Sequence, residues 1–249
     1  ISPLHIFKPY SLVMVTKNQI KFLKGLSLKK NRIKSKKIIV EGEKIIREFI
    51  DSDYKLDKVY STDPLKFHNY PNQKLSEKNL ESISNLKSPN GDLAVFNLID
   101  KSIKNERLYI VLDGINDPGN LGTIIRTCDW FGIDQIICSN NSVDCFNPKV
   151  IQSSMGSLSR VNVFYMDILE FLNSKDIPIY GAVLNGKKLK NEIIDDGIFV
   201  FGSESNGISE GILKKIEFEI KIPKHSEAVK TESLNLSVSL GIVLSKIRI

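Results

Sequence analysis

The sequence predicts an α/β protein of two domains: a smaller N-terminal α/β sandwich and a C-terminal domain on a mostly parallel sheet. Three observations lead there. Short apolar runs alternate with amphipathic stretches through the second half, the pattern of parallel strands covered by helices. The first half uses the same vocabulary over about 85 residues, enough for a small core of its own. Between them, Asp100 to Arg107 is polar and helix-neutral and reads as a linker. The expected boundaries are 17–99, a linker at 100–107, and 108–249. Residues 1–16 stay unassigned, and Met14 opens a run that looks like a natural start.

In the first domain, residues 19–28 carry Ile20, Leu23, Leu26 and Leu28 at helical spacing. Residues 43–50 place Ile45, Ile46, Phe49 and Ile50 on one side of a second helix. Strands are expected at 37–40 and 56–60. Ser76 opens another helix, and Pro89-Asn90-Gly91-Asp92 forms a turn ahead of a strand at 93–98. In the second domain, strands are expected at 108–113, 135–139, 161–165, 179–184, 198–202 and 218–222, and helices at 122–131, 148–158, 167–174, 210–216 and 233–247.

Composition narrows the class. An apolar content of 41% with 26% charged residues is that of a soluble globular protein. The longest apolar runs, 109–112 and 198–201, are far too short to cross a bilayer. Pro3, His5, Lys8 and Pro9 interrupt the apolar start, which lacks a basic leader and a small-residue cleavage site, so no secretory signal is expected. Cys128, Cys138 and Cys145 are odd in number and form no CxxC pair, which suggests neither a disulfide framework nor a zinc site. Buried or half-buried thiols in a reducing cytoplasm are expected instead. His5, His68 and His225 stand far apart, without metal-ligand spacing.

Charge is unevenly placed. Residues 1–106 hold 20 Lys/Arg against 12 Asp/Glu, and residues 107–249 hold 15 against 17. The excess peaks between Lys17 and Lys37, with nine basic residues and no acid: Lys17, Lys21, Lys24, Lys29, Lys30, Arg32, Lys34, Lys36 and Lys37. A charge run is usually a solvated face. Nine like charges repel one another, however, unless a polyanion lies against them, and nucleic acid is the partner this run suits.

Chemistry is concentrated in three separated blocks: Asn120-Leu121-Gly122-Thr123-Ile124-Ile125-Arg126, Phe201-Gly202-Ser203-Glu204-Ser205-Asn206-Gly207, and Thr231-Glu232-Ser233-Leu234-Asn235-Leu236-Ser237. Each follows a strand candidate or opens a helix candidate, and in an open α/β sheet such turns collect in one crevice. No dinucleotide or P-loop glycine pattern is present. The first block can be read as a loop with Asp117-Pro118-Gly119 in a tight turn, which leaves Asn120 and Arg126 unexplained. Arg126, among apolar neighbours, must reach a partner or snorkel out, and its donor fork suits a phosphate or ribose. Glu204 can hold a ligand hydroxyl, pair with Arg126, or cap a helix starting near Ser209. Capping explains one of Ser233, Asn235 and Ser237, not all three.

Together these residues closely resemble the SpoU-type (TrmH-like) family of RNA ribose 2′-O-methyltransferases in the SPOUT superfamily. Asn120…Arg126 in DPGNLGTIIRT, Gly202-Ser203-Glu204…Gly207 in FGSESNG, and Ile222-Pro223 leading to Ser233-Leu234-Asn235-Leu236-Ser237 carry the resemblance. Asn147-Pro148-Lys149-Val150 with Ser154-Met155-Gly156 looks like the region between the family's first two motifs. Val40-Glu41-Gly42-Glu43 resembles a piece of the ribosomal-protein-like RNA-binding domain that many members carry. The likeness spans about residues 17–249. The 224–230 loop departs from it, with Lys224 and His225 where many relatives have Met and Gly.

The resemblance implies a trefoil-knotted methyltransferase domain, S-adenosylmethionine as cofactor, no metal, and a cytoplasmic homodimer acting on RNA. Ribosomal RNA is favoured and transfer RNA is the alternative. It implies catalytic roles for Asn120, Arg126, Glu204, Ser233 and Asn235, and cofactor contacts at Gly202, Gly207, Ile222, Ser233 and Leu234. Lys29, Lys30, Arg32, Lys34, Lys36 and Lys37 would then meet RNA. The family's residue at Arg126 is proposed as a base or as an activator of the hydroxyl. A guanidinium does not normally give up its proton, so the reading adopted is that Arg126 holds phosphate and ribose in attack geometry. A base methyltransferase fits Asn120…Arg126 less well. A non-catalytic RNA-binding or ribosome-assembly factor is the rival from another class, against which all five expected catalytic residues being intact argues.

Overall fold

The computed structural model describes residues 14–189, 192–226 and 230–249, so the reading of residues 1–13, and of the 224–230 loop at 227–229, falls outside it. In chain order the elements are α1 (Lys17–Gly25), α2 (Lys29–Ser35), β1 (Lys37–Glu41), α3 (Glu43–Ile50), β2 (Lys55–Ser61), β3 (Asn72–Lys74), α4 (Glu77–Ile83), β4 (Asp92–Asn97), β5 (Leu108–Asp113), α5 (Pro118–Trp130), β6 (Gln135–Ser139), α6 (Pro148–Ser154), β7 (Asn162–Met166), α7 (Ile168–Asn173), β8 (Ile179–Lys188), β9 (Gly197–Gly202), α8 (Glu210–Leu213), β10 (Phe218–Lys221) and α9 (Leu236–Arg248). Two short 3₁₀ turns, Pro64–Phe67 and Ser157–Ser159, complete the set. No helix among the described residues is long and apolar enough to cross a membrane.

The first compact unit holds the described residues up to Asp100 together with Phe146–Ser159. Its four-stranded sheet runs β1-β4-β2-β3, antiparallel except for the β2–β3 pair. Both faces are covered. Ile39, Tyr60 and Val95 pack with Leu23 of α1 and with Leu80 and Ile83 of α4. On α3, Phe49 meets Phe96 of β4 at 5.4 Å and Tyr54 at 5.0 Å. The strand β3 was not legible as a strand, since Asn-Gln-Lys has no apolar alternation; only its pairing with Val59, Tyr60 and Ser61 makes it one.

The basic run divides into two helices. A capping box, with Thr16 and Gln19 bonding reciprocally, starts α1. Arg32 of α2 is buried, and its guanidinium donates to the Leu26 and Ser27 carbonyls at 2.8 and 2.7 Å, where α1 leaves carbonyls without intrahelical partners. Lys37 is half-buried and paired with Asp57 at 2.6 Å, and Lys36 reaches Asp100 at 3.4 Å. Lys17, Lys21, Lys24, Lys29, Lys30 and Lys34 stay exposed. The expected 148–158 helix stops at Ser154, because Met155 turns into the left-handed region at φ +52 and Gly156 follows at φ +99.

The second unit comprises Lys101–Cys145 and Arg160–Ile249. Its six strands are all parallel, in the order β10-β8-β9-β5-β6-β7. Tyr109, Val111, Ile198 and Val200 face a core closed by Phe171 and Leu172 of α7 and Ile212 of α8. Alternation turns Ile110, Leu112, Phe199 and Phe201 to the other face, and all four are buried. The helices α5 and α9 pack on each other, and Thr127 lies 3.8 Å from where a side chain at Gly241 would begin. The three cysteines are buried and form no disulfide.

Candidate active site

The carboxyl ends of the central strands position the site. Asp113 closes β5 and Gly202 closes β9, and the two are register partners. The chain leaves β5 through Gly114 at φ +71, whose N–H donates to Ser139 Oγ at 2.8 Å, while Ile115 N–H donates to Ser142 Oγ at 3.2 Å. The helix α5 then begins at Pro118, four residues earlier than its apolar spacing suggests. Asp117 is the N-cap, accepting from Asn120 N at 2.7 Å, and Pro118 sits at the first helical position, where its missing N–H costs nothing. Asp117-Pro118-Gly119 is therefore a helix start, not a tight turn.

Beyond β9 the chain folds straight back. Ser203 and Gly207 exchange two backbone hydrogen bonds, 3.1 and 2.9 Å, around a turn that carries Glu204. The turn lies so close to the strand end that a Cβ on Gly202 would stand 2.0 Å from the Gly207 carbonyl carbon. Asp113 fastens the far side of this loop by accepting from Ser209 N at 2.8 Å. Asp113 has no counterpart among the expected site residues; a carboxylate at the last position of an apolar strand was the signal available for it.

Three of the expected residues meet. Asn120 Nδ2 donates to Glu204 Oε1, and Asn120 Oδ1 accepts from Asn235 Nδ2 at 2.9 Å. Asn235 Oδ1 in turn accepts from Ser237 N at 3.0 Å, Ser237 Oγ at 2.6 Å and Val238 N at 3.3 Å, which makes Asn235 the N-cap of α9. The direction of every bond is fixed. An ionised carboxylate only accepts, so it takes the Asn120 amide N–H; the Asn120 oxygen is left for Asn235, whose own oxygen is left for the helix N–H groups. One residue from each block thus enters a single chain, running from a carboxylate to the positive end of a helix.

Glu204 neither caps the 210 helix, whose N-cap Ser209 has no side-chain cap bond, nor pairs with Arg126. Arg126 is exposed on α5, and its guanidinium makes no hydrogen bond or ion pair among the described residues. It lies six residues beyond Asn120, about 9 Å further along the axis. Ser233 and Leu234 are exposed just ahead of the Asn235 cap, and Ile222 is half-buried directly after β10. Gly207, at φ +66, has no atom within 4 Å of the place a Cβ would take.

A parallel α/β sheet with polar residues from three loops gathered at its carboxyl edge has the arrangement in which open α/β sheets place a ligand crevice. The chain belongs to the SpoU rRNA methylase family, whose sequence model matches residues 107–245, and a model of the MRM3-like substrate binding domain matches residues 17–94. A solved structure of a protein assigned to the TrmH family of RNA methyltransferases, from Porphyromonas gingivalis, is 35% identical with a TM-score of 0.84, over 95% of this chain and 99% of that one. The 23S rRNA (guanosine(2553)-2′-O)-methyltransferase RlmP of Bacillus subtilis is 27% identical over 243 residues, 93% of this chain and 97% of that protein. The same fold recurs in an AdoMet-bound rRNA methyltransferase from Sinorhizobium meliloti, at a TM-score of 0.80 and 23% identity over 95% of this chain and 97% of that one.

Proposed function

We propose that this protein methylates the 2′-hydroxyl of a ribose in structured RNA, ribosomal RNA before transfer RNA, with S-adenosylmethionine as donor. The observation that carries this reading is the Glu204–Asn120–Asn235 chain, which joins the three motif blocks at one strand edge. Family membership and the named reaction of the Bacillus relative support it.

The residues present fit the cofactor. Open space at Gly207 lets a ligand approach backbone, and Leu234, 48% exposed, and the half-buried Ile222 are apolar side chains that a purine ring could meet. Gly202, Gly207, Ile222, Ser233 and Leu234 would hold it. When bound, S-adenosylmethionine would supply a sulfonium methyl for transfer to the ribose oxygen, its sulfur leaving as a neutral thioether with the bonding pair and the hydroxyl proton passing to solvent. Arg126 holds phosphate and ribose in line through its guanidinium N–H donors. Glu204 spends one oxygen on Asn120, and its other oxygen can accept from a ligand hydroxyl. Ser233 adds a hydroxyl beside the Asn235 cap.

In this reading residues 17–99 capture RNA through exposed lysines and residues 108–249 do the chemistry. The protein works in the cytoplasm as a homodimer with a knotted second domain. On α9, Val238 at 50% exposure stands beside Gly241 and the half-buried Ile242, a small apolar surface that supports a subunit contact. Arg126→Ala is expected to abolish methyl transfer while RNA and cofactor affinities, measured by titration, stay within a few-fold of the unaltered protein. Complete loss of RNA binding would instead make Arg126 a binding residue.

A further inference from the structure

Trp130 is the chain's one tryptophan, and at 83% exposure it is the most exposed large apolar side chain among the described residues. Helix packing does not require it. The buried face of α5 is made by Leu121, Ile124, Ile125 and Cys128, and Trp130 stands on the opposite, solvent side with Thr123 and Arg126. It follows Arg126 by four residues, so the two side chains are neighbours on one face, about 6 Å apart along the axis.

The surroundings favour an anionic partner with flat rings. Thr123 and Thr127 turn their hydroxyls back to helix carbonyls at 2.9 Å each, which leaves Arg126 as the polar group this face presents. Asp129, beside Trp130 in sequence, is held by Arg160 through hydrogen bonds of 2.8 to 3.2 Å, so its charge is offset. An indole beside an available guanidinium, with the local carboxylate neutralised, suits a splayed nucleotide: the guanidinium takes phosphate while the ring stacks a base.

We infer that Trp130 is a positioning residue that stacks a base of the RNA substrate next to the nucleotide whose ribose Arg126 orients. The inference rests on the RNA-methylation reading of the same face. Stacking on a base at this distance fixes how far the strand can slide along α5, and so which ribose reaches the cofactor.

Because the chain has a single tryptophan, its emission reports this site alone. The test titrates the full-length protein with oligoadenylate and oligouridylate of about twelve nucleotides, under tryptophan-selective excitation. Quenching is expected, stronger for adenylate. Trp130→Ala should raise the KM for RNA roughly 5- to 100-fold, with the S-adenosylmethionine Kd unchanged and kcat at saturating RNA little altered. Trp130→Phe should restore most of the RNA affinity, which a merely structural role would not predict for so exposed a ring. Emission that ignores RNA, or an unchanged RNA KM in Trp130→Ala, overturns the proposal. So does emission that shifts with protein concentration alone while Trp130→Ala loosens the oligomer, which would place Trp130 between copies of the chain. Intact quenching without any methyl transfer by the unaltered protein supports stacking and removes the catalytic reading instead.

Discussion

Asn120 joins the site because a carboxamide is both donor and acceptor in one rigid plane. It gives an N–H to Glu204 and takes one from Asn235, so its removal detaches all three motif blocks from one another. Asn120→Asp removes the donor and sets a second carboxylate against Glu204. Its kcat should fall about 100-fold, and Asn120→Ala should fall similarly. Both proteins should stay folded, with stability lower by about 1 kcal/mol, because Asn235 Oδ1 keeps capping α9. Steady-state kinetics beside thermal melts would separate these effects; activity within a factor of about two for Asn120→Asp would remove Asn120 from the mechanism. The three blocks were legible as one site from their order along the chain. Which residues bond was not, since Glu204 had three open roles and the structure supplies a fourth, Asn120 as its partner.

At the scale of elements, the turn after β9 decides where Glu204 stands. The strand end admits the returning chain only because Gly202 has no side chain: a methyl group there would lie 2.0 Å from the Gly207 carbonyl carbon and 2.2 Å from Ile208 N. Gly202→Ala must therefore displace the 203–207 turn. It is expected to cost about 1–3 kcal/mol of stability and to weaken S-adenosylmethionine binding by at least about tenfold, as read by calorimetric titration. Unchanged affinity would mean that this turn does not hold the cofactor. The helices flanking the site show what periodicity can and cannot give. Apolar spacing found the bodies of α5 and α9 but mistook their starts, because Asp117 and Asn235 set those starts by capping and carry no apolar signal. Parallel strands buried on both faces, such as β5, β6 and β9, were plain as continuous apolar runs, while β3 exists only through its neighbour.

For the whole molecule, the division of charge suits the proposed division of labour, in which residues 17–99 capture RNA and residues 108–249 modify it. Position in the basic run did not reveal which cations face solvent: Arg32 folds inward onto α1, whereas Lys17, Lys21, Lys24, Lys30 and Lys34 stay exposed. Reversing several of those lysines to Glu should weaken RNA binding and flatten its dependence on salt, by about 0.7–0.9 in log–log slope for each phosphate that is no longer neutralised. Arg32→Ala should act differently, lowering stability by about 1.5–3 kcal/mol with the salt slope intact. Equal slopes for all variants would rule this surface out as the place where RNA binds. Labelled methyl transfer from S-adenosylmethionine decides whether the reaction proposed for the Asn120–Glu204–Asn235 site is ribose methylation. The substrate is total RNA lacking its native modifications, split into ribosomal and transfer fractions and digested to nucleosides afterwards. A labelled 2′-O-methylnucleoside in the ribosomal fraction is the predicted result. Label on a base, or no incorporation despite measurable cofactor binding, would contradict it.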